Sequence, residues 1–390
     1  MSASDRQPCA LVFAPTSFGG LAEHVHYQAS ELARRGWDVE VLCRPDFRKP
    51  ADGTSYRQIR RLLLIRGSAR AQRLARAVVR IADYYVLAWR ILKLRPEFTL
   101  LEANTEYRAA LWALPHWLLR KLGIVYVANF HDPVRASRGS PGWLHRLTLR
   151  LAYAPLSGGL VHGTPPPGAY LPRRLVIREA PFGPFTDLAG KPATFELRAR
   201  FGIPDDAFVV LAFGHVADRK NLDLLIAALA DVPTAHLVVA GQTTSHADRP
   251  MAYYRDAVRR AGVDGRVHFA WAFIPEADIP AYFTAADAVA LTYARSFVSQ
   301  SGVLQLAALF DRPLLASGGT GPLRDTVDRF GLGLTVEPDS AEAIAAGLQR
   351  LIADRPDVAG GFARYRATTS WQVNVDRLLE VAAIVRGGGG

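Results

Sequence analysis

Short apolar runs alternate with amphipathic stretches along the chain. The first run, residues 10–14, ends in a Ser-Phe-Gly-Gly turn, and an amphipathic stretch at 22–35 follows, closed by Gly36. Further strand-like runs lie at 39–43, 99–102 and 125–130, with a helical stretch at 108–122. Strand, turn and helix in that order predict a parallel sheet with helices on both faces. Residues 165–191 are rich in proline and glycine (PPPGAY, APFGPF) and read as a hinge. Beyond it the rhythm restarts: strands at 209–213, 237–240, 267–269, 288–291 and 314–316 alternate with helices at 221–230, 251–261, 277–284 and 302–310. The pattern therefore predicts two doubly wound, Rossmann-like α/β domains, 1–185 and 186–370. A C-terminal helix in 371–390 would pack back towards the first, and residues 387–390 form a flexible glycine tail. Two such domains facing across a cleft would hold ligands at the carboxyl ends of both sheets. No short repeat appears, which sets solenoids aside.

Composition narrows the partners. Of 390 residues, 49% are hydrophobic and 21% charged, a globular balance that excludes disorder. The net charge of +11 suggests an anionic partner, although an arginine-rich background would produce the same excess. A phosphate-bearing ligand, a nucleic acid or an acidic membrane surface would each satisfy it. Cys9 and Cys43 fit neither a metal spacing nor a disulfide framework, which favours a reducing compartment. The first residues do not read as a signal peptide, and no run reaches the roughly 20 apolar residues that span a bilayer. A cytoplasmic protein is expected, with a peripheral place on the inner face of the cell membrane left open.

Four loops carry candidate chemistry. The turn 16–20 can open a helix N-terminus towards an anion or a polar ligand, and packing alone would also explain its glycines. It is not a full G-x-G-x-x-G, and no acidic residue follows at the ribose spacing, so an NAD site is disfavoured. Gly214-His215-Val216-Ala217-Asp218-Arg219-Lys220-Asn221 follows a strand and opens a helix, placing Arg219 and Lys220 where a diphosphate leaving group would need cations. In Ser299-Gln300-Ser301-Gly302-Val303-Leu304-Gln305 either serine can cap a helix whose free N–H groups attract anions. The glycine turn Ser317-Gly318-Gly319-Thr320-Gly321 adds a second such loop. His131-Asp132 stands at the carboxyl end of a strand, where active residues usually sit, although a lone histidine is often structural.

Taken together these segments resemble a family-4-type retaining glycosyltransferase of the GT-B fold. The pieces that carry the likeness are GGLAEHVHYQASELARRGWDVEVL, FGHVADRKNLDLLIAAL, AHLVVAG, RVHFAWAFIPEADIPAYFTAADAVALTY, SGVLQLAALFDRPLLASGGTGPLRDTV and FGLGLTVEPDSAEAIAAGLQRLI. The resemblance implies transfer of a sugar from a UDP- or GDP-sugar to a glycan, lipid-linked or small-molecule acceptor, with retention. It implies Lys220 on the donor diphosphate, with Arg219 supplying a second charge because His215 stands where the family has arginine. It places the turn Phe18-Gly19-Gly20 and His131 near the transferred sugar, and Trp271, Phe273 and Ile274 near the base. Gly214, Gly241, Ser299, Gln300, Ser301, Gly302, Val303, Gln305, Gly319 and Thr320 complete the donor side, with Phe18, His24 and Asp132 on the acceptor side. One departure stands out. The family's paired glutamates fall at Val298 and Leu306, leaving Gln300, Ser301 and Gln305 as the nearest polar substitutes. No D-x-D motif is present, and Lys220, Arg219 and helix N-termini can meet phosphate charge, so neither metal nor cofactor is expected beyond the nucleotide sugar.

Leu74, Val78, Ile81, Tyr85, Trp89 and Leu92 share one face of a long amphipathic stretch, while Arg70, Arg73, Arg76 and Arg80 share another. Such a segment could dock on anionic lipid, as could residues 107–121 with Trp112 and Trp117, or it could pack its apolar face on the sheet. Two rival functions remain open: a non-catalytic scaffold in a glycan-assembly complex, and a nucleotide-sugar epimerase or phosphorylase. Nucleic-acid binding is disfavoured because the basic residues lack an aromatic platform.

Overall fold

The computed structural model describes residues 7–17, 19–47, 56–62, 69–102, 106–134, 141–243 and 248–387. The chain divides into two compact units, Met1–Gly183 with Ser370–Gly390, and Pro184–Thr369.

The first unit holds an all-parallel sheet of seven strands: β1 (Cys9–Ala14), β2 (Asp38–Cys43), β3 (Arg57–Arg60), β4 (Phe98–Leu101), β5 (Tyr126–Phe130), β6 (Gly158–Val161) and β7 (Val176–Glu179), in the order β3-β2-β1-β4-β5-β6-β7. Side chains alternate across it. Ala10, Val12 and Ala14 of β1 join one core with the helix Gly20–Arg34 and the C-terminal helix Trp371–Gly387, whereas Leu11 and Phe13 join the other. Burial on both faces explains why these strands read as continuous apolar runs. The stretch 165–191, read as a hinge, holds both β7, which pairs along its length with β6, and the boundary between the two units at Gly183 and Pro184. Two glycines let β6 sit between close neighbours. A Cβ on Gly159 would stand 2.2 Å from the Phe130 ring, and one on Gly158 would stand 2.4 Å from Val381 of the C-terminal helix. Cys9 and Cys43 are buried free thiols on the adjacent strands β1 and β2, and burial pushes the Cys43 thiol up to about 12.

The long helix Ala69–Leu94 packs on the second core through Tyr84, Leu87, Ala88 and Ile91. These are not the residues that the sequence pattern grouped as its apolar face. Val78, Tyr85, Trp89 and Leu92 point to solvent, with Trp89 40% and Leu92 59% exposed. The expectation that this face packs on the sheet is therefore overturned, since the sheet takes the neighbouring stripe. The side chains of Arg70, Arg73, Leu74 and Arg76 fall outside the described residues, as does Phe18.

The second unit repeats the plan with six parallel strands: β8 (Phe208–Phe213), β9 (Ala235–Ala240), β10 (Val267–Ala270), β11 (Ala288–Thr292), β12 (Leu314–Ser317) and β13 (Gly333–Thr335), in the order β10-β9-β8-β11-β12-β13. Val210, Leu237, Val239, Ala288 and Ala290 form its core with the helices Leu222–Ala228 and Ala341–Asp354. In each unit the strand order reverses beside the first strand, between β1 and β4 and between β8 and β11. Crevices at such reversals, outside the carboxyl ends of the strands, are where open α/β sheets take ligands. Among the described residues no helix is long and apolar enough to cross a membrane.

Candidate functional site

A small pocket opens at the reversal point of the second unit, lined by the ends of β8 (Phe213, Gly214, His215) and β11 (Thr292, Tyr293) and by Lys220. The chain can turn there because Gly214 takes a φ of 86°. Gly241 at the end of β9 faces it so closely that a Cβ would lie 2.0 Å from the Gly214 oxygen. The next turn is fixed by its neighbours. Lys220 N–H donates to Ala217 O (2.9 Å), Ala294 N–H donates to Arg219 O (2.8 Å), and the Thr292 hydroxyl donates to Lys220 O (3.1 Å). Asn221 takes a φ of 50° and its amide donates to Asp339 (2.9 Å).

This scaffold sets the Lys220 ammonium over the strand end. Its Nζ donates to Phe213 O at 3.2 Å and lies 5.9 Å from the Tyr293 ring centre. Burial, reinforced by the Arg219 charge, pulls its pKa down to about 8. An ammonium held by one backbone acceptor gains from an arriving anion. Burial also lowers His215, with Lys220 adding to the effect, and its Nε2 stands 3.5 Å from Asp248.

The structure brings Gly214, His215 and Lys220 to one pocket, with the Val303 methyl 3.6 Å from where a Gly214 Cβ would be and Gly241 against Gly214. Other expected donor residues sit differently. The helix after Ser301 spans only Gly302–Ala307, and Ser301 does not cap it; its hydroxyl pairs with the Tyr293 hydroxyl at 2.9 Å. Gln300 accepts from Ser301 N–H (3.0 Å) and donates to Thr326 (3.2 Å), and Ser299 is buried. Gln305 turns into the core, where its amide donates to the buried Tyr365 hydroxyl at 2.6 Å, so it does not stand in for a missing glutamate. Val298 packs on the Gly319 turn and Leu306 is buried, so neither glutamate position keeps a polar group. Gly319 N–H donates to Phe297 O at 2.9 Å, and Thr320 is exposed. Trp271 rests on Tyr254 (5.8 Å between ring centres), Ile274 is half-buried, and Phe273 is exposed.

The carboxyl edge of the first unit carries a different cluster. Glu102 follows β4, His131 follows β5 and His162 follows β6, so three adjacent strands deliver three side chains to one place. His162 Nδ1 bonds Ala180 O at 3.0 Å, His162 Nε2 lies 2.8 Å from His131 Nδ1, and His131 Nε2 lies 2.7 Å from Glu102 Oε1. Asn129 donates to Glu102 Oε2 (2.6 Å) and to Gln28 (2.9 Å), Gln28 donates to Asn374 (2.7 Å), and Asn374 donates to Pro181 O (2.7 Å). His24 is fully buried beside them among Phe182 and Trp371, with Nδ1 3.1 Å from Glu102 Oε1 but off hydrogen-bond alignment. Burial would raise the Glu102 carboxyl, yet His24 and His131 outweigh it and hold it well below the usual range. Burial lowers both His24 and His162.

The ring nitrogens of His24, His131 and His162 lie within 4.8 Å of one another. Separations of 2.7 and 2.8 Å along the chain are hydrogen-bond lengths, whereas ligands of one tetrahedral zinc stand about 3.3 Å apart. The cluster is built as a hydrogen-bond chain. Of the residues expected here, Gly19 takes a φ of 77° before the helix, Gly20 opens the helix in open space, and Asp132 is exposed. Glu102, Asn129 and His162 escaped the sequence reading, although Glu102 closes a run that the pattern marked as a strand.

A model of the group 1 glycosyl transferases matches residues 193–360, and one of glycosyltransferase family 4 matches residues 18–157. A D-inositol 3-phosphate glycosyltransferase of Salinispora arenicola is 31% identical over 214 residues, 50% of this chain and 46% of that protein. Another, of Kineococcus radiotolerans, is 25% identical over 93% of this chain and 90% of its own. The chain thus spans about half the length of the first relatives it matches. A sucrose-phosphate synthase from Thermosynechococcus elongatus superposes with a TM-score of 0.73 at 20% identity, covering 98% of this chain and all (100%) of that one. Anabaena Alr3699/HepE in complex with UDP and glucose gives a TM-score of 0.73 at 17% identity over 97% of this chain and 100% of its own. At such identities the structures speak for the fold.

Proposed function

We propose that this chain, which belongs to the family-4-type glycosyltransferases of the GT-B fold, transfers a sugar from a nucleoside-diphosphate sugar to a hydroxyl acceptor with retention. The observation that carries the reading is Lys220, an ammonium set over the end of β8 with Phe213 O as its hydrogen-bond acceptor, in a pocket at the strand reversal. A diphosphate gathers charge as its bond to the sugar breaks, and a fixed cation there stabilises that charge more than the bound ground state. Arg219, on the same turn and exposed, offers a second cation, so the phosphate charge can be met by side chains. The HepE structure contains UDP and glucose, and a uridine donor is the first choice here, with a guanosine donor the alternative. The curated relatives are named for an inositol phosphate acceptor. A small polyol phosphate is accordingly the first acceptor to try, ahead of lipid-linked and glycan acceptors.

A specific feature supports peripheral membrane contact by the first unit. Trp89 and Leu92 are exposed, as are Leu111, Leu114 and Trp117, and the Tyr85 hydroxyl donates to Leu111 O (2.7 Å) to join the two segments. Lys93 Nζ lies 4.5 Å from the Trp89 ring centre and Lys121 Nζ lies 5.6 Å from that of Trp117. The one acid in the long helix, Asp83, is buried and paired with Arg44 at 2.8 Å, and the helices Ala113–Lys121 and Gly142–Tyr153 contain none. Exposed tryptophans flanked by cations and cleared of acids fit an anionic lipid surface.

The donor reading is tested by thermal shift against UDP, GDP, ADP and dTDP. A nucleotide that binds only the folded state adds about 2.7 kcal/mol at a hundredfold excess over Kd. One nucleotide should raise the melting temperature clearly and Lys220→Ala should abolish that rise. No rise with any nucleotide in folded protein overturns the proposal.

A further inference from the structure

The hydrogen-bond chain at the edge of the first unit holds a countable number of protons. A backbone carbonyl can only accept, so Ala180 O at 3.0 Å requires a proton on His162 Nδ1. The 2.8 Å contact between His162 Nε2 and His131 Nδ1 needs one proton between them, and the 2.7 Å contact between His131 Nε2 and Glu102 Oε1 needs another. That makes three protons on two imidazoles, one more than two neutral rings carry. The extra proton sits either on Glu102 or on an imidazole.

A second chain adds a donor at the other Glu102 oxygen, and its surroundings favour the imidazole. Pro181 O is also an acceptor only, so Asn374 must donate to it and accept from Gln28. Gln28 then accepts from Asn129, whose amide also donates to Glu102 Oε2 at 2.6 Å. Glu102 Oε2 is therefore held as an acceptor, and Oε1 has the edge of His24 3.1 Å away. Oxygens surrounded by donors and ring edges favour the carboxylate. Two neighbouring carbonyls, Ala180 and Pro181, thus fix the direction of both chains, which converge on the two oxygens of Glu102.

We propose that Glu102, His131 and His162 hold a shared proton that keeps His131 as an imidazolium opposite the Glu102 carboxylate, donating from both ring nitrogens. His131 then acts as a fixed cation and cannot serve as a general base. Its ring is 14% exposed, so it meets a ligand through its charge and its polarised ring edge, while neither nitrogen is free to accept a proton. An oxygen-rich ligand suits such a site, a sugar or polyol hydroxyl or a phosphate oxygen. Glu102 and His162 act through His131 and are positioning residues. The other titratable groups near the ring are His24, 4.8 Å away between ring centres and lowered by burial, and the exposed sequence neighbour Asp132. Phe182 and Trp371 supply the apolar walls. The protonation state stands whether or not the protein transfers sugars, and only the ligand class rests on that reading.

The test is nitrogen NMR of protein labelled with 15N-histidine, with His131 assigned from the signal lost in His131→Gln. At about pH 8, well above the ordinary histidine pKa near 6.5, His131 should still show both nitrogens protonated. In Glu102→Gln the amide can donate to His131 Nε2, and the signal should become that of a neutral tautomer at the same pH. Should Glu102→Gln not fold, His162→Phe removes the partner on the other side and should likewise weaken the doubly protonated signal at that pH. Neutral His131 in the wild type at pH 8, or a cation indifferent to both changes, overturns the proposal. Because the spectrum needs no turnover, a failed transfer assay and a failed proton assignment cannot be mistaken for each other.

Discussion

The two units share one parallel plan and place opposite chemistry at the same point of it. Where the strand order reverses in Pro184–Thr369, the edge offers a cation with room beside it: Lys220 over Phe213 O, Gly214 and Gly241 back to back, and an exposed Arg219. At the corresponding edge of the first unit, Glu102 is 1% exposed and both of its oxygens are already engaged. One edge is short of an anion and the other has neutralised itself. The fold explains neither difference. Both come from which side chain follows a given strand, which is how a shared scaffold hosts different ligands.

The sharpest way to break this contrast is to remove the cation. Lys220→Ala should lower kcat by about 10²- to 10³-fold, the usual cost of deleting a donor that stabilises developing charge. The side chain is anchored to the strand end and carries none of the core, so circular dichroism and the melting curve should change little. An equivalent loss in Glu102→Gln with the same kinetic signature would erase the distinction between the edges. Turnover assays on both variants, read alongside nucleotide affinity, decide it.

The contrast was only half legible in the sequence, for physical reasons that differ between the edges. The place of Lys220 was readable because β8 is a pure apolar run that stops at Gly214, which sets the basic turn at the carboxyl end of a strand. Glu102 and His162 were not, because their meaning depends on strands that neighbour in space and not in sequence. β6 was hidden as well: its Gly158 and Gly159 look like a turn, and only the Phe130 ring and Val381 packed on either side show why glycine must be there. The long helix misled in another way. It has two apolar stripes, and periodicity cannot say which one meets the sheet; Tyr84, Leu87 and Ile91 do, leaving Trp89 outside. Gln305 looked like a spare ligand because it is polar on a functional helix, yet Tyr365 from a distant segment claims it.

A milder test asks whether the open edge is waiting for an anion. The Lys220 pKa is lowered to about 8 from 10.5 by burial and then by Arg219. A folded-state value below the unfolded one means that the ammonium costs stability at neutral pH, and that cost fades as the pH rises from about 8 towards 10.5. A bound diphosphate favours the ammonium, so binding above that pH must take up a proton. Nucleotide affinity should hold steady up to about pH 8 and then weaken by up to about tenfold per unit. Calorimetric titration at several pH values checks it, and Lys220→Gln should be weak and flat throughout. A flat wild-type profile would show that nothing at this edge titrates in the window.

The smallest effect concerns the face of the first unit that lies away from its sheet. If Trp89, Trp117 and their flanking lysines meet anionic lipid, each lysine contributes about 1 kcal/mol near such a surface, roughly a fivefold change in partitioning. Lys93→Gln and Lys121→Gln should each weaken sedimentation with phosphatidylglycerol vesicles by about that factor, with little effect on neutral vesicles. Exposed substitutions of this kind usually move stability by about 0.5 kcal/mol or less, so unchanged melting curves would assign the loss to the surface. Raising the salt should reproduce the lysine effect, because exposed charges are screened within about 10 Å at 0.1 M. Trp89→Ala and Trp117→Ala should then remove the part that salt leaves behind, since burying a ring does not depend on ionic strength. Binding that ignores both the lysines and the lipid charge would reassign the patch to a protein partner.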